Sequence, residues 1–141
     1  MFVCEYDPVF AFGVMLFGLP GEERDCDQYV ETIPKLDKRV QRRDASLLVE
    51  FVEGYPPPNA LWRKRFIEAR SHLVSRPRVA LVLPSAAARA TLKLASWVSP
   101  APFEQRPFST ADEALAWLAE PGGNRRALDT LYQSARAKLD A

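Results

Sequence analysis

Hydrophobic positions along the chain switch between two spacings, and each switch marks the edge of an element. Phe2 to Tyr6 and Val9 to Leu19 are apolar runs rich in aromatic and branched residues, and the turn-favouring dipeptide Asp7-Pro8 separates them. They predict a β-hairpin. Gly13 and Gly18 in the second arm indicate a bulge or a close backbone approach. From Gly21 to about Arg43 the apolar residues Cys26, Tyr29, Val30, Ile33, Leu36 and Val40 recur at helical spacing. Acids lead this segment (Glu22, Glu23, Asp25) and bases end it (Lys38, Arg39, Arg42, Arg43), the order that a helix dipole favours. Pro34 removes a hydrogen bond to the carbonyl of Val30, so a kink or two short helices are expected there.

Residues 46–52 (SLLVEFV) and 78–84 (RVALVLP) are short, nearly continuous apolar runs. Strands covered on both faces have this pattern, and so do central strands of a half-covered mixed sheet, which is the arrangement expected here. Between them, Trp62, Phe66, Ala69 and Leu73 line one face of a helix spanning Asn59 to Arg76, making a right-handed βαβ unit. Ser85 can cap a further helix running to Val98, ended by Pro100 and Pro102. Residues 103–108 (FEQRPF) suit an edge strand because Pro107 cannot donate to a ladder. Thr110 and Glu113 have capping-box spacing before the stripe Ala114, Trp117 and Leu118, and Pro121-Gly-Gly ends that helix. A last stripe of Leu128, Leu131, Tyr132, Ala135 and Leu139 must pack on something, either the chain's own sheet or a partner. The expected fold is therefore α/β: a mixed β-sheet of about five strands flanked by about four helices, plus an extra C-terminal helix. Residues 1–120 are expected to form the domain and 121–141 an amphipathic helix packed in cis or on a partner.

Composition narrows the functions. A chain of 141 residues with 48% hydrophobic content can bury a core. Its 19 Lys and Arg nearly cancel 18 Asp and Glu, so no charge excess points to nucleic acid or an anionic membrane. Phe10 to Leu19 is too short to span a bilayer and no basic leader precedes it, so a soluble, cytoplasmic protein is expected. Cys4 and Cys26 have no CxxC spacing and read as buried free thiols.

The segments RVALVLPSAAARATLKLASWVSP and PFSTADEALAWL, together with the element order, resemble the STAS domain, the sulfate-transporter and anti-sigma-factor-antagonist family. More closely they resemble its small bacterial SpoIIAA-like or SEC14-like members of unassigned role. The resemblance covers residues 2 to about 120 and implies a protein-interaction module in bacterial signalling. Regulatory members carry an acidic or amide residue at the end of the third strand, and a phosphorylatable serine at the next helix start. Here Glu50 resembles the first, while Asn59 and Ala60 stand where the serine would be, and neither bears a hydroxyl. The resemblance implies partner binding through the turn after the third strand and the following helix, at Tyr55, Asn59, Arg63 and Arg70.

Reactive constellations are not evident. The one histidine, His72, lies deep in a helix one turn after Glu68 and suits a solvated flank. The acid pairs Glu22–Glu23 and Asp112–Glu113 sit in first helical turns, where the dipole accounts for them. Ligand count argues against a metal, and the phosphate-cradling glycine motifs are missing. No catalytic residue, metal site or cofactor is assigned. Glu50 interrupts an apolar strand, so it must be paired, hydrogen-bonded or near solvent; a place at the strand rim, accepting from loop amides, is expected. Glu50 and Ser85 are the candidates for a ligand or rim contact, Ser85 through the amides of a helix start. The alternative function is binding of a small apolar or phosphate-bearing ligand between sheet and helices. A homodimer through the C-terminal helix is also allowed.

Overall fold

Five strands pair in the order of the sequence, β1-β2-β3-β4-β5. β1 (Phe2–Asp7) and β2 (Phe12–Phe17) form the expected antiparallel hairpin. β3 (Ser46–Phe51), β4 (Arg78–Val82) and β5 (Gln105–Phe108) follow, each parallel to its neighbour, and β3 is parallel to β2. The helices described from end to end are α1 (Glu23–Val40), α2 (Ala60–Ser71), α3 (Ala111–Ala119) and α4 (Arg125–Asp140). The computed structural model describes residues 1–40, 45–56, 59–71, 73, 77–90, 104–122 and 124–141. Residues 86–90 are helical, so the helix expected from Ser85 begins as foreseen; its continuation to Val98, with Trp97, lies outside the described residues.

The sheet is α/β and mixed, but it is covered on both faces, which corrects the half-covered arrangement. All six residues of β2 are buried, and side chains two apart along a strand enter the same layer. Phe12, Val14, Leu16, Leu48, Ala80 and Val82 meet α3 and α4 on one face. Met15, Phe17, Leu47, Val49, Val79 and Leu81 meet the helices α1 and α2 on the other. The continuous apolar runs have this physical cause: neither side of a central strand sees water.

Helix α1 continues unbroken through Pro34. Ile33 and Leu36, on either side of the lost hydrogen bond, are buried against the sheet, and this packing holds the helix where local propensity would interrupt it. Thr110 caps α3 by accepting from the Glu113 amide at 3.3 Å. Trp117 is buried in α3, with the Arg78 guanidinium 4.0 Å from its ring centroid and bonded to its carbonyl at 3.1 Å. Trp62 stands at the margin of the core, half-buried and edge-on to Phe66.

The last helix lies on the chain's own sheet, across β1 and β2. Leu128 and Ala135 are buried in the same layer as Leu16 and Leu48, and Leu131, Tyr132 and Leu139 pack beside them. Its arrival explains Gly18. The register of β1 with β2 is unbroken, so there is no bulge; instead a Cβ on Gly18 would stand 2.5 Å from Leu139 Cδ1 and 2.9 Å from its Cγ.

Gly18→Ala is therefore expected to lower stability by about 1 kcal/mol through overpacking. In a Leu139→Ala background the clash is gone and the stiffer unfolded chain dominates, so the same change becomes neutral or stabilising. Urea unfolding of the four variants measures this coupling directly.

Candidate functional site

The corner after β3 is built by three consecutive locks. Val52 N–H bonds the Phe17 carbonyl at 3.0 Å, continuing the ladder one residue past the strand. Gly54 then takes φ +83°, a backbone that glycine adopts without strain, and the Tyr55 amide bonds back to the Val52 carbonyl at 3.1 Å. Pro56 rests against Gly21 so closely that a Cβ there would be 2.4 Å from its ring. Pro57 and Pro58 lie outside the described residues.

Tyr55 turns inward. Its ring packs edge-on to Phe17 and Phe51, which stack on each other at 4.5 Å. Its hydroxyl donates to Asp25 Oδ2 at 2.7 Å. Asp25 is fully buried, and the same oxygen accepts from the Glu22 amide at 3.1 Å and the Met1 ammonium at 2.9 Å. Burial pushes the Asp25 carboxyl up, but the ammonium, Tyr55 and the Glu22 amide overcome it and hold the group below its ordinary value. The Tyr55 phenol is correspondingly raised by burial and by its carboxylate acceptor.

Asn59 opens α2: its Oδ1 accepts from the Trp62 amide at 2.9 Å. Arg63 and Arg70 are seven residues apart and so near one helix face, yet Arg63 is exposed and Arg70 half-buried. The Arg70 guanidinium bonds the Tyr29 hydroxyl and Gln105 Oε1, both at 2.6 Å, joining α1, α2 and β5. Arg65 pairs with Asp27 of α1 at 2.7 Å. Of the residues expected to bind a partner, Arg63 alone stands exposed with no partner among the described residues, while Tyr55, Asn59 and Arg70 are engaged within the chain. No residue of α2 is buried, and Leu61 and Ile67 are 64% and 52% exposed on its outer side.

Glu50 is buried at the end of β3, and its contacts differ from those expected. The Tyr132 hydroxyl lies 2.7 and 2.9 Å from its two oxygens and Arg136 lies 3.8 Å away, both from α4. Helix packing reaches this carboxylate before any loop amide does. Burial raises its pKa, and the Tyr132 bond and the Arg136 charge only partly oppose that. Ser85 caps the helical stretch at 86–90 by accepting from the Ala88 amide at 3.3 Å, and is exposed.

Neither thiol is poised to react. Cys4 and Cys26 are unpaired; burial pushes Cys4 up to about 11 and raises Cys26 as well. No three metal-ligating side chains cluster among the described residues, where His72 is not included. The apolar cleft between α1 and the start of the sheet, lined by Tyr6, Gly13, Ile33, Leu36, Leu47 and Leu73, has a volume of about 30 Å³. No described helix is long and apolar enough to cross a membrane.

A family model described as SpoIIAA-like matches residues 22–119, which includes β3, the corner and α2. None of the curated proteins and none of the solved structures matches the chain significantly.

The two buried carboxylates tilt the pH dependence of stability in opposite directions. Asp25, lowered in the fold, adds stability that is present above its unfolded pKa and is lost as pH falls through that range. Glu50, raised in the fold, holds its proton more tightly when native, so its contribution falls as pH rises from its unfolded to its folded pKa. Glu50→Gln should remove the loss on the alkaline side of the carboxylate range, and Asp25→Asn the loss on the acid side. Thermal unfolding across mildly acidic pH reads both slopes; unchanged profiles would contradict the assignment.

Proposed function

Because the chain belongs to the SpoIIAA-like family, we propose that it is a non-catalytic STAS-type interaction module that docks a protein partner on the outer side of α2. The observation that carries this reading is the exposure of Leu61 and Ile67 on a helix with no buried residue. Leu61, Lys64 and Ile67 are successive neighbours at spacings of three, so they form one ridge, and Arg63 lies a turn from Ile67. Large apolar side chains ringed by charge suit a partner surface better than water.

The corner supports the same reading mechanically. Tyr55 is locked to Asp25, Pro56 rests against Gly21 and Arg70 ties α2 to α1 and β5, so binding on α2 costs less ordering entropy. The positions that resemble the family's serine site carry Asn59 and Ala60, so contact here is constitutive and not switched by phosphate at that turn. Burial raises both thiols and so keeps them protonated and weakly nucleophilic, which favours recognition over catalysis. A small ligand between sheet and helices is the weaker reading, since the cleft at Gly13 has room for only one or two waters.

A photo-crosslinking residue at position 61 or 67 in native extract tests the proposal. A discrete adduct is expected there and not at exposed Gln133 on α4, and it should be competed by unlabelled wild type but not by Leu61→Glu/Ile67→Glu. Equal labelling at all three positions would overturn it.

A further inference from the structure

The two edges of the sheet are protected unequally. β5 is four residues long and contains Pro107, devices that keep an edge from pairing. β1 is six residues long, unbulged and free of proline. Its one mid-strand charge, Glu5, faces α4 and is ion-paired with Lys138.

The free groups on β1 can be assigned from one pair. Met1 and Gly18 exchange both backbone bonds, at 2.8 and 2.7 Å. In an antiparallel ladder such pairs alternate, so Val3, Glu5 and Asp7 bond inward to Leu16, Val14 and Phe12. The N–H and C=O of Phe2, Cys4 and Tyr6 therefore point outward, and no bond to them is made among the described residues.

We propose that this edge is the seam of a homodimer, in which β1 pairs antiparallel with β1 of a second copy about a two-fold axis at Cys4. That register sets Phe2 against the copy's Tyr6, Cys4 against its own copy and Tyr6 against the copy's Phe2. Three residue pairs then exchange two bonds each, using every outward group. Glu5 falls opposite an uncharged valine, Val3 of the copy. Sliding by one pair toward Asp7 places Glu5 against its own copy, a like-charge contact, and brings in Pro8, which has no N–H. Sliding the other way keeps two of the three pairs. The outward residues Phe2, Cys4 and Tyr6 are disposed symmetrically about Cys4, so the edge is self-complementary and sets aromatic against aromatic, which favours a second copy over an unrelated extended segment. The resulting sheet runs continuously through both protomers and leaves α2 of each exposed, so the seam stands or falls independently of the partner surface.

Two measurements on the full chain test it. Light scattering over a concentration series should show a dimer, and Cys4→Pro, which removes an outward N–H that the fold does not use, should be monomeric with an unchanged circular dichroism spectrum. Hydrogen exchange of the wild type should show protection of the Cys4 and Tyr6 amides that grows with protein concentration; this decides the matter if Cys4→Pro fails to fold. A monomer at every concentration, a dimer that survives in folded Cys4→Pro, or exchange at Cys4 and Tyr6 that is indifferent to concentration would each overturn the proposal.

Discussion

The constraint on which the structure depends is that β2 and β3 are apolar on both sides and must be covered twice. Val14, Leu16 and Leu48 on one face, and Met15, Phe17 and Val49 on the other, are each at most 1% exposed. Burying a side chain of this size is worth about 1.5–3 kcal/mol, so a bare face would lose several such terms. α1 and α2 supply one cover. The other comes from α3 and α4, and α4 lies beyond the residues matched by the family model. The terminal helix is thus part of the layer that makes these strands tolerable, not an appendage.

Two buried carboxylates fix the ends of this arrangement, each by a tyrosine. Asp25 binds the Tyr55 hydroxyl and so ties the corner after β3 to the start of α1. Glu50 binds the Tyr132 hydroxyl and so ties the end of β3 to α4. The environments differ in sign. Asp25 gathers a cation and an amide as well as a phenol, which favour the charged form despite burial. Glu50 has the phenol and a guanidinium at 3.8 Å, too little to offset burial. The two carboxylates thus serve the fold, tying it together at two points.

Most of the fold was legible in the sequence because it rests on periodicity. The hairpin, the βαβ unit, the Thr110 cap and the terminal stripe follow from spacing and turn chemistry alone. The second cover was not legible, since a doubly buried strand and a central strand of a half-covered sheet read alike. The candidate site was less readable. Asp25 looked like an ordinary first-turn acid, and no local signal shows that an N-terminal ammonium and a phenol from thirty residues onward converge on it. Glu50 and Tyr132 did carry a signal: a carboxylate in an apolar strand and a hydroxyl in an apolar stripe each need a partner, and each is the other's. Arg70 misled because a basic residue at helical spacing from Arg63 looks solvated, whereas its fork is spent on Tyr29 and Gln105.

That spending of polar groups bears on the proposed role. A surface that recognises a partner needs stiffness beneath it and unspent side chains above it. Beneath α2, the polar groups of Tyr55, Asn59, Arg65 and Arg70 are all committed to intrachain bonds. Above it, Leu61, Arg63 and Ile67 are exposed and make none of those bonds. The corner shelters its completed pairs and exposes its apolar ridge, and the energetic consequence is that desolvation of Leu61 and Ile67 is still available to whatever covers them.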